Sequence, residues 1–209
     1  LGASYLGYAA WAIVDALPER SALISAVTSA EFRSIVFPGG AFHLSLWLNW
    51  MQVVDGLGTN PWLIADAMRG EVERRTMAGA LTLPLIDADL TTTGHEVAFW
   101  RHWFDHALEN GFWAEMDHTA LVGATNPPNL FLTGWYDFML DQLLRDYRSS
   151  VASGARPHLI VGPWFHTSID MQMALLRESL SWARAHLLGD AALLRDRPVH
   201  IYIQGADIW

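Results

Sequence analysis

Short apolar runs bounded by turn residues are the feature that most limits what this chain can fold into. Three of them cover residues 22–27, 129–134 and 157–163, and a fourth covers residues 199–203. The first three are apolar almost throughout, without polar alternation, which is typical of parallel strands that are covered on both faces.

Helical patterns lie between these runs. They cover residues 5–17, 138–150 and 170–188, with Asp170 as the expected cap of the third helix. Strands that alternate with helices predict an α/β fold. The long stretch of residues 28–121 interrupts the alternation, because it is crowded with Trp and Phe, contains no clean strand run and shows helical spacing. We therefore expect a helical insertion between two strands of the sheet.

Composition excludes several classes of function. The net charge is −9, and every basic residue is an Arg that forms no cluster along the chain, which argues against a nucleic-acid surface. The absence of cysteine excludes a disulfide framework, a thiolate metal site and a cysteine nucleophile. The compartment stays open, with the cytoplasm slightly favoured.

One uncharged segment, residues 34–54, is long enough to span a bilayer. It contains Pro38-Gly39-Gly40, His43, Asn49 and Gln52, which is more polar and broken than a membrane helix tolerates. We expect a buried, aromatic-rich segment there and no association with a membrane.

Three polar residues occupy the positions where open α/β sheets place their chemistry, at the carboxyl ends of strands. Ser4 lies in the turn Gly2-Ala3-Ser4-Tyr5-Leu6-Gly7, ahead of the first helix. Asp137 ends Gly134-Trp135-Tyr136-Asp137, and His166 ends Gly162-Pro163-Trp164-Phe165-His166, each just past a predicted strand. The order Ser, Asp, His along the chain is that of α/β-hydrolases.

The three residue types fit nucleophilic catalysis. A serine hydroxyl needs a base to take its proton, and histidine titrates near neutral pH. A carboxylate on the other ring nitrogen orients the imidazole and stabilises its charged form. The N–H of Tyr5, at the start of the following helix, is a candidate oxyanion donor. No cofactor is required. Asp141, one helical turn after Asp137, is the rival for the acid.

These motifs resemble those of the X-prolyl dipeptidyl-peptidase and cocaine esterase family of serine hydrolases. That family carries a GxSYxG nucleophile turn, a GWYD acid motif and a GPWxH histidine motif. The resemblance also covers Phe37-Pro38-Gly39-Gly40-Ala41, similar to the start of the family's helical cap, and VHIYIQGADIW from Val199 to Trp209, similar to the first strand of its C-terminal β-sandwich.

The resemblance implies a domain organisation. Residues 1–32 and 122–196 would form the α/β-hydrolase domain, residues 33–121 the cap, and residues 197–209 the first strand of the sandwich. We expect the chain to be an internal segment, since the family's hydrolase domain has strands before the nucleophile and is followed by a β-sandwich. The esterases of the family also have an upstream tyrosine whose hydroxyl is the second oxyanion donor.

The resemblance also implies an ester, amide or short peptide substrate with an apolar acyl part. Trp50, Phe138 and Met139 are its candidate substrate-binding residues, with core packing as the alternative. An X-prolyl dipeptidyl-peptidase must also bind a substrate ammonium, for which Glu31, Asp55 and Asp117 are available.

An esterase or acylase is the leading hypothesis for the function. An X-prolyl dipeptidyl-peptidase is the second hypothesis, and a non-catalytic scaffold or inactive fragment is the third. A homo-oligomer is compatible with all three.

Two other groups of polar residues could bind a metal. His102 and His106 have helical i, i+4 spacing, with His95 and His118 nearby, but no spacing places a third ligand. Asp87 and Asp89 lie in a loop-like stretch. We expect no metal site at either group, and a solvated turn at the two aspartates.

Overall fold

The computed structural model describes residues 1–108, 110–124 and 127–209. The chain divides into two compact units. We call Leu1–Ile35 together with Ala114–Trp209 the sheet unit, and Val36–Trp113 the helical unit. The domain boundaries that the sequence predicts near residues 33 and 121 stay predictions.

The sheet unit contains a sheet of five parallel strands in the order β1-β2-β3-β4-β5. The strands are β1 (Gly2–Ala3), β2 (Leu23–Ala26), β3 (Asn129–Gly134), β4 (His158–Gly162) and β5 (Val199–Ile201). Because the strands are parallel and neighbours in sequence order, their carboxyl ends meet at one edge. The predicted parallel sheet and α/β fold are confirmed.

The helices in the described residues are α1 (Tyr5–Ala12), α2 (Arg33–Val36), α3 (Leu44–Thr59), α4 (Leu63–Met68), α5 (Glu71–Ala80), α6 (Ala88–Thr93), α7 (Ala98–Asp105), α8 (Asn110–Ala114), α9 (Thr119–Ala124), α10 (Leu140–Ala152) and α11 (Ile169–Leu188). Short 3-10 turns occur at Val14–Ala16, Pro38–Gly40 and Leu85–Asp87. The predicted helical character of the stretch between β2 and β3 is confirmed.

The apolar runs are nearly continuous because both faces of the sheet are buried. Along β3, Leu130 and Leu132 belong to one core cluster with Trp182 of α11, whereas Phe131 belongs to another with Trp11 of α1 and Leu143 of α10. Successive strand residues point to opposite faces, so a strand covered by helices on both sides needs apolar residues at every position.

Two helix ends differ from the prediction. The first helix ends at Ala12 and continues only as the 3-10 turn Val14–Ala16, ahead of Pro18. Ser168, and not Asp170, is the residue that precedes α11, so Asp170 lies inside its first turn. An acidic residue there still interacts favourably with the helix dipole.

Val199–Ile201 was expected to begin a β-sandwich, but it pairs in parallel with β4 and forms the edge of this sheet. The pairing continues at both ends, where Leu159 N–H donates to Pro198 O at 2.7 Å and Tyr202 N–H to Val161 O at 2.8 Å. As an edge strand, β5 is only partly buried, which explains why its sequence lacks a continuous apolar run. A sandwich that follows Trp209 stays a prediction.

The helical unit has an aromatic core. Trp47 and Trp103 have ring centroids 4.8 Å apart, and Trp100 is fully buried against Phe42 and Phe104. Within residues 1–108, 110–124 and 127–209, no helix is both long enough and apolar enough to cross a bilayer. The segment that raised this question is broken by the turn Pro38–Gly40 before α3 begins.

The prediction of a solvated turn was wrong for Asp89. Its side chain is fully buried, and Arg101 donates to it from Nε at 2.9 Å and from a terminal nitrogen at 3.0 Å. The backbone N–H groups of Leu90 and Val97 also donate to this carboxylate. A charge can be buried when it is paired and hydrogen-bonded in this way.

Candidate active site

Ser4 lies in a sharp turn between β1 and α1. Its backbone angles are φ 55° and ψ −130°, a conformation that a residue with a Cβ adopts only under strain. The Ser4 N–H donates to Ala26 O on β2 at 3.0 Å, which ties the turn to the carboxyl end of the sheet. The side chain is thereby presented beyond the strand ends.

The two glycines of the turn are required by close packing. A Cβ on Gly2 would lie 2.5 Å from the Cα of Gly7, and a Cβ on Gly7 would lie 2.6 Å from the side chain of Thr28. The first turn of α1 therefore packs directly on β1 and on the residues after β2. This contact explains why the second glycine comes three residues after the serine.

Thr28 is a contributor to this turn that sequence reasoning missed. Its Oγ1 donates to the carbonyl oxygen of Ser4 at 2.7 Å, and the N–H groups of Gly7 and Tyr8 donate to the same oxygen at 3.0 and 3.2 Å. The available signal was its position, since Thr28 is a polar residue directly after a buried strand run, where the other candidates also lie.

Asp137 follows β3 and is held rigidly. Its side chain is fully buried, and its Oδ1 accepts a hydrogen bond from the backbone N–H of Met139 at 2.7 Å. Its other oxygen, Oδ2, lies 2.6 Å from Nδ1 of His166. One oxygen thus fixes the carboxylate to its own turn, and the other meets the histidine.

His166 follows β4 and lies between the acid and the serine. Its Nε2 lies 2.9 Å from Oγ of Ser4, and its side chain is 18% exposed. When Nδ1 carries the proton and donates to Asp137, Nε2 is the acceptor for the serine hydroxyl. The ring of Phe138 packs against this imidazole with centroids 4.4 Å apart. The three residues named from the sequence are therefore within hydrogen-bonding distance in the order Ser, His, Asp.

The remaining candidates lie in different settings. Tyr5 is the first residue of α1, so its N–H points out of the helix N-terminus beside Ser4. Phe138 is half-buried against His166, whereas Met139 is only 5% exposed. Trp50 packs in the aromatic core of the helical unit, 5.3 Å from Trp47 between ring centroids. The substrate-binding roles of Trp50, Phe138 and Met139 stay predictions.

The rival acid, Asp141, is exposed on α10, and its carboxylate forms no hydrogen bond or ion pair with any described residue.

Two of the carboxylates considered as partners of a substrate ammonium group already have other partners close by. Glu31 accepts from the N–H of Ser34 at 2.9 Å and pairs with Arg145 at 3.3 Å. Asp117 accepts from the N–H and the hydroxyl of Thr119 at 2.9 and 2.6 Å.

The histidines that were considered as metal ligands contact neighbouring groups of the protein. The rings of His102 and His106 stack 4.9 Å apart, and Nδ1 of His106 lies 2.9 Å from the carbonyl oxygen of His102. His118 packs against Tyr8, and His95 pairs with Asp55 at 2.8 Å. In the part of the chain that the structure describes, no three His, Asp or Glu residues are grouped so as to hold a metal ion.

Asp146 is another buried carboxyl group in the sheet unit, and sequence reasoning missed it. Only 2% of it is exposed, and its Oδ2 accepts from the N–H of Ala30 at 2.7 Å. Burial raises the pKa of Asp146 to about 7 despite that hydrogen bond and the charge of Arg145. The nearby acids Glu31 and Asp117 raise this pKa further.

A parallel sheet covered by helices on both faces, with a strand–turn–helix that carries a serine, defines the α/β-hydrolase class. Residues 1–168 match the model of the X-Pro dipeptidyl-peptidase (S15) family, and the chain belongs to this family. The family predicted from the three motifs is thus confirmed.

The chain is also similar to individual proteins. It is 26% identical over 238 residues to the cocaine esterase of Rhodococcus sp. (strain MB1 Bresler), in an alignment that covers 100% of this chain and 40% of the esterase. The crystal structure of an aminopeptidase from a marine sediment archaeon, Thaumarchaeota archaeon, has the same fold. Its TM-score is 0.67 at 14% identity, covering 100% of this chain and 37% of that one. The chain therefore spans less than half the length of these two proteins.

Proposed function

We propose that this chain carries the catalytic triad of a serine hydrolase, with Ser4 as nucleophile, His166 as general base and acid, and Asp137 as the orienting carboxylate. The observation that supports the proposal is the pair of contacts at His166, 2.9 Å to Ser4 and 2.6 Å to Asp137, between residues from three distant parts of the chain. Nucleophile, base and orienting group within hydrogen-bonding distance are the recognised signature of this chemistry.

The proposed reaction is acyl transfer to water. His166 Nε2 takes the hydroxyl proton while Ser4 Oγ attacks the acyl carbon, and the N–H of Tyr5 stabilises the negative charge that develops on the acyl oxygen. His166 then gives the proton to the leaving alcohol or amine, which leaves an acyl group on Ser4. A water molecule, activated by the same imidazole, attacks the ester and releases the acid, and the proton returns to Ser4.

We favour an ester or simple amide as the substrate over an X-prolyl peptide. A dipeptidyl-peptidase must hold a substrate ammonium with a carboxylate. Glu31 and Asp117, the two candidates of the sheet unit, already accept hydrogen bonds from their own neighbours. Hydrolysis of an aryl ester compared with a proline-containing dipeptide anilide distinguishes the two substrate classes, and faster turnover of the anilide would reverse this preference.

The proposal is tested with a fluorophosphonate probe on the full-length protein. The probe labels a serine only where a base activates it, so we expect labelling of the protein and none of the Ser4→Ala variant. Ser149→Ala is the control, because Ser149 is an exposed residue of α10. Equal labelling of Ser4→Ala and the unmodified protein would remove Ser4 from its role.

A further inference from the structure

The helical unit contains a large cavity that the proposed hydrolase chemistry does not use. Its volume is about 970 Å³, and all of its lining residues lie between Gln52 and His95. The walls come from α3, α4, α5 and α6 and the segments around them. None of the residues proposed for catalysis belongs to this unit, so the cavity needs an explanation of its own.

The lining is rich in arginine although the unit as a whole is acidic. Arg69, Arg74 and Arg75 all line the cavity, and they are three of the four Arg residues among residues 36–113. Two acids, Asp55 and Asp66, also line it. The three arginines lie within seven residues of the sequence, with Arg69 directly after α4 and with Arg74 and Arg75 in α5.

The two acids are already engaged by neighbouring side chains. Asp55 lies 2.8 Å from Nε2 of His95, and Asp66 accepts from Asn60 at 2.9 Å and from Arg75 at 3.2 Å. Asparagine and arginine hold the pKa of Asp66 below its ordinary range. Both carboxylates are mostly enclosed, with 18% and 15% of their side chains exposed.

Among the described residues, one of the lining arginines has no hydrogen-bonding or ion-pair partner. Arg74 pairs with Glu71 at 2.5 Å, whereas the guanidinium of Arg69 forms no hydrogen bond or ion pair with any residue that the structure describes. Arg75 uses one terminal nitrogen on Asp66, and a guanidinium has five N–H donors. The cavity therefore presents N–H donors on Arg69 and Arg75 that no described residue accepts.

An exposed indole lies at the same cavity. Trp62 is 69% exposed, unlike Trp47, Trp100 and Trp103, which are buried in the aromatic core. Its backbone N–H donates to Oδ1 of Asn60 at 2.9 Å, which fixes the start of α4 next to the residues that hold Asp66. Leu63 and Leu90 also line the cavity.

We propose that this cavity is a binding site for a small organic anion, whose carboxylate or phosphate group is held by Arg69 and Arg75 and whose apolar part lies on Trp62. Arginine binds both kinds of anion through paired N–H donors, and an exposed indole offers a flat apolar surface. The lining is otherwise mostly polar, with Trp62, Leu63 and Leu90 as its larger apolar residues. The inference does not depend on the triad.

Calorimetric titration of the full-length protein with benzoate, phenyl phosphate and neutral benzamide tests the proposal. We expect both anions to bind and benzamide to bind at least about tenfold more weakly, because it lacks the charge that Arg69 recognises. The stronger of the two anions identifies carboxylate or phosphate as the preferred group. Equal affinity for benzamide and benzoate would contradict the proposal.

Variants locate the binding. Arg69→Gln should weaken anion binding about tenfold or more, whereas Arg148→Gln, the same change at an exposed residue of α10 outside the cavity, should change it less than about twofold. Trp62→Ala should weaken benzoate but leave inorganic phosphate unchanged, since phosphate has no apolar part. Benzoate affinity that is unaffected by Arg69→Gln places the anion elsewhere, for example near Ser4, and overturns the inference.

Discussion

Asp137 is a carboxylate with no exposure to solvent and both oxygens engaged. We predict that Asp137→Asn reduces kcat on an aryl ester by about 10³- to 10⁴-fold, since an amide next to Nδ1 favours the wrong imidazole tautomer and cannot stabilise its charged form. Asp141→Asn is the matched control, because Asp141 is exposed and its carboxylate forms no hydrogen bond or ion pair with a described residue. A loss of less than tenfold for Asp137→Asn would argue against its role.

The buried carboxyl group of Asp146 makes the free energy of unfolding depend on pH. Its folded pKa of about 7 lies above the ordinary value of 3.8, so the folded chain binds more protons than the unfolded chain between about pH 4 and 7. The resulting stability is fully present below pH 4 and is lost as the pH rises through 7. Urea unfolding at a series of pH values should show this loss, and the Asp146→Asn variant should lack it. An equal slope in both proteins would contradict the prediction.

The roles of some residues could be predicted from the sequence, and the burial of others could not. Ser4, Asp137 and His166 could be named because each directly follows a recognisable strand and belongs to a distinctive motif. Asp89 and Asp146 could not, because local sequence does not show that a carboxylate will meet Arg101 twelve residues away, or the N–H of Ala30 on another element. Burial of a charge depends on tertiary partners that periodicity does not encode.

At the scale of elements, the packing of α1 on the sheet sets the position of the nucleophile. We predict that Gly7→Ala destabilises the protein by about 1–3 kcal/mol, because the added Cβ would lie 2.6 Å from Thr28 and must push α1 away. Displacement of the helix start should also slow fluorophosphonate labelling of Ser4. Urea unfolding and the labelling rate measure the two effects.

Gly123→Ala is the control for this change. Gly123 lies in α9, and a Cβ there would meet its nearest neighbour, in Ser153, at an ordinary 3.5 Å. Helix propensity alone then predicts unchanged or slightly greater stability, by about 0.5–1 kcal/mol. If both substitutions have the same effect, close packing of Gly7 on Thr28 is not what positions the nucleophile.

The more deeply a strand is buried, the better its bounds and its partners could be predicted from the sequence. The strand Asn129–Gly134 agrees at both ends with the apolar run in the sequence, because every residue of it is buried. Val199–Ile201, at the edge of the sheet, is only partly buried, so its sequence does not identify which sheet it joins. Helix ends are set by turns and caps rather than by periodicity, which is why the first helix is shorter than its apolar pattern.

At the scale of the whole molecule, the chain leaves the sheet unit after α2 has begun and returns to it before α9. The sequence indicates this insertion, since a change from strand runs to helical, Trp-rich spacing is visible over many residues. It does not indicate the cavity, whose lining comes from four helices and the loops between them. Adjacent helices produce such a cavity only through their packing angles and side-chain sizes.

Because the chain divides into two compact units, we expect a substitution that leaves a buried charge unpaired to destabilise mainly the unit that contains the charge. Arg101→Met removes the partner of the fully buried Asp89, which leaves an uncompensated charge inside the helical unit. We expect amide hydrogen exchange to accelerate at least about tenfold in α6 and α7, while the amides of β3 and β4 keep their protection, because local opening follows contiguous structural units. Arg74→Met, which breaks the exposed pair with Glu71, should change neither set. Equal acceleration in β3 and α7 would mean that the two units open as one.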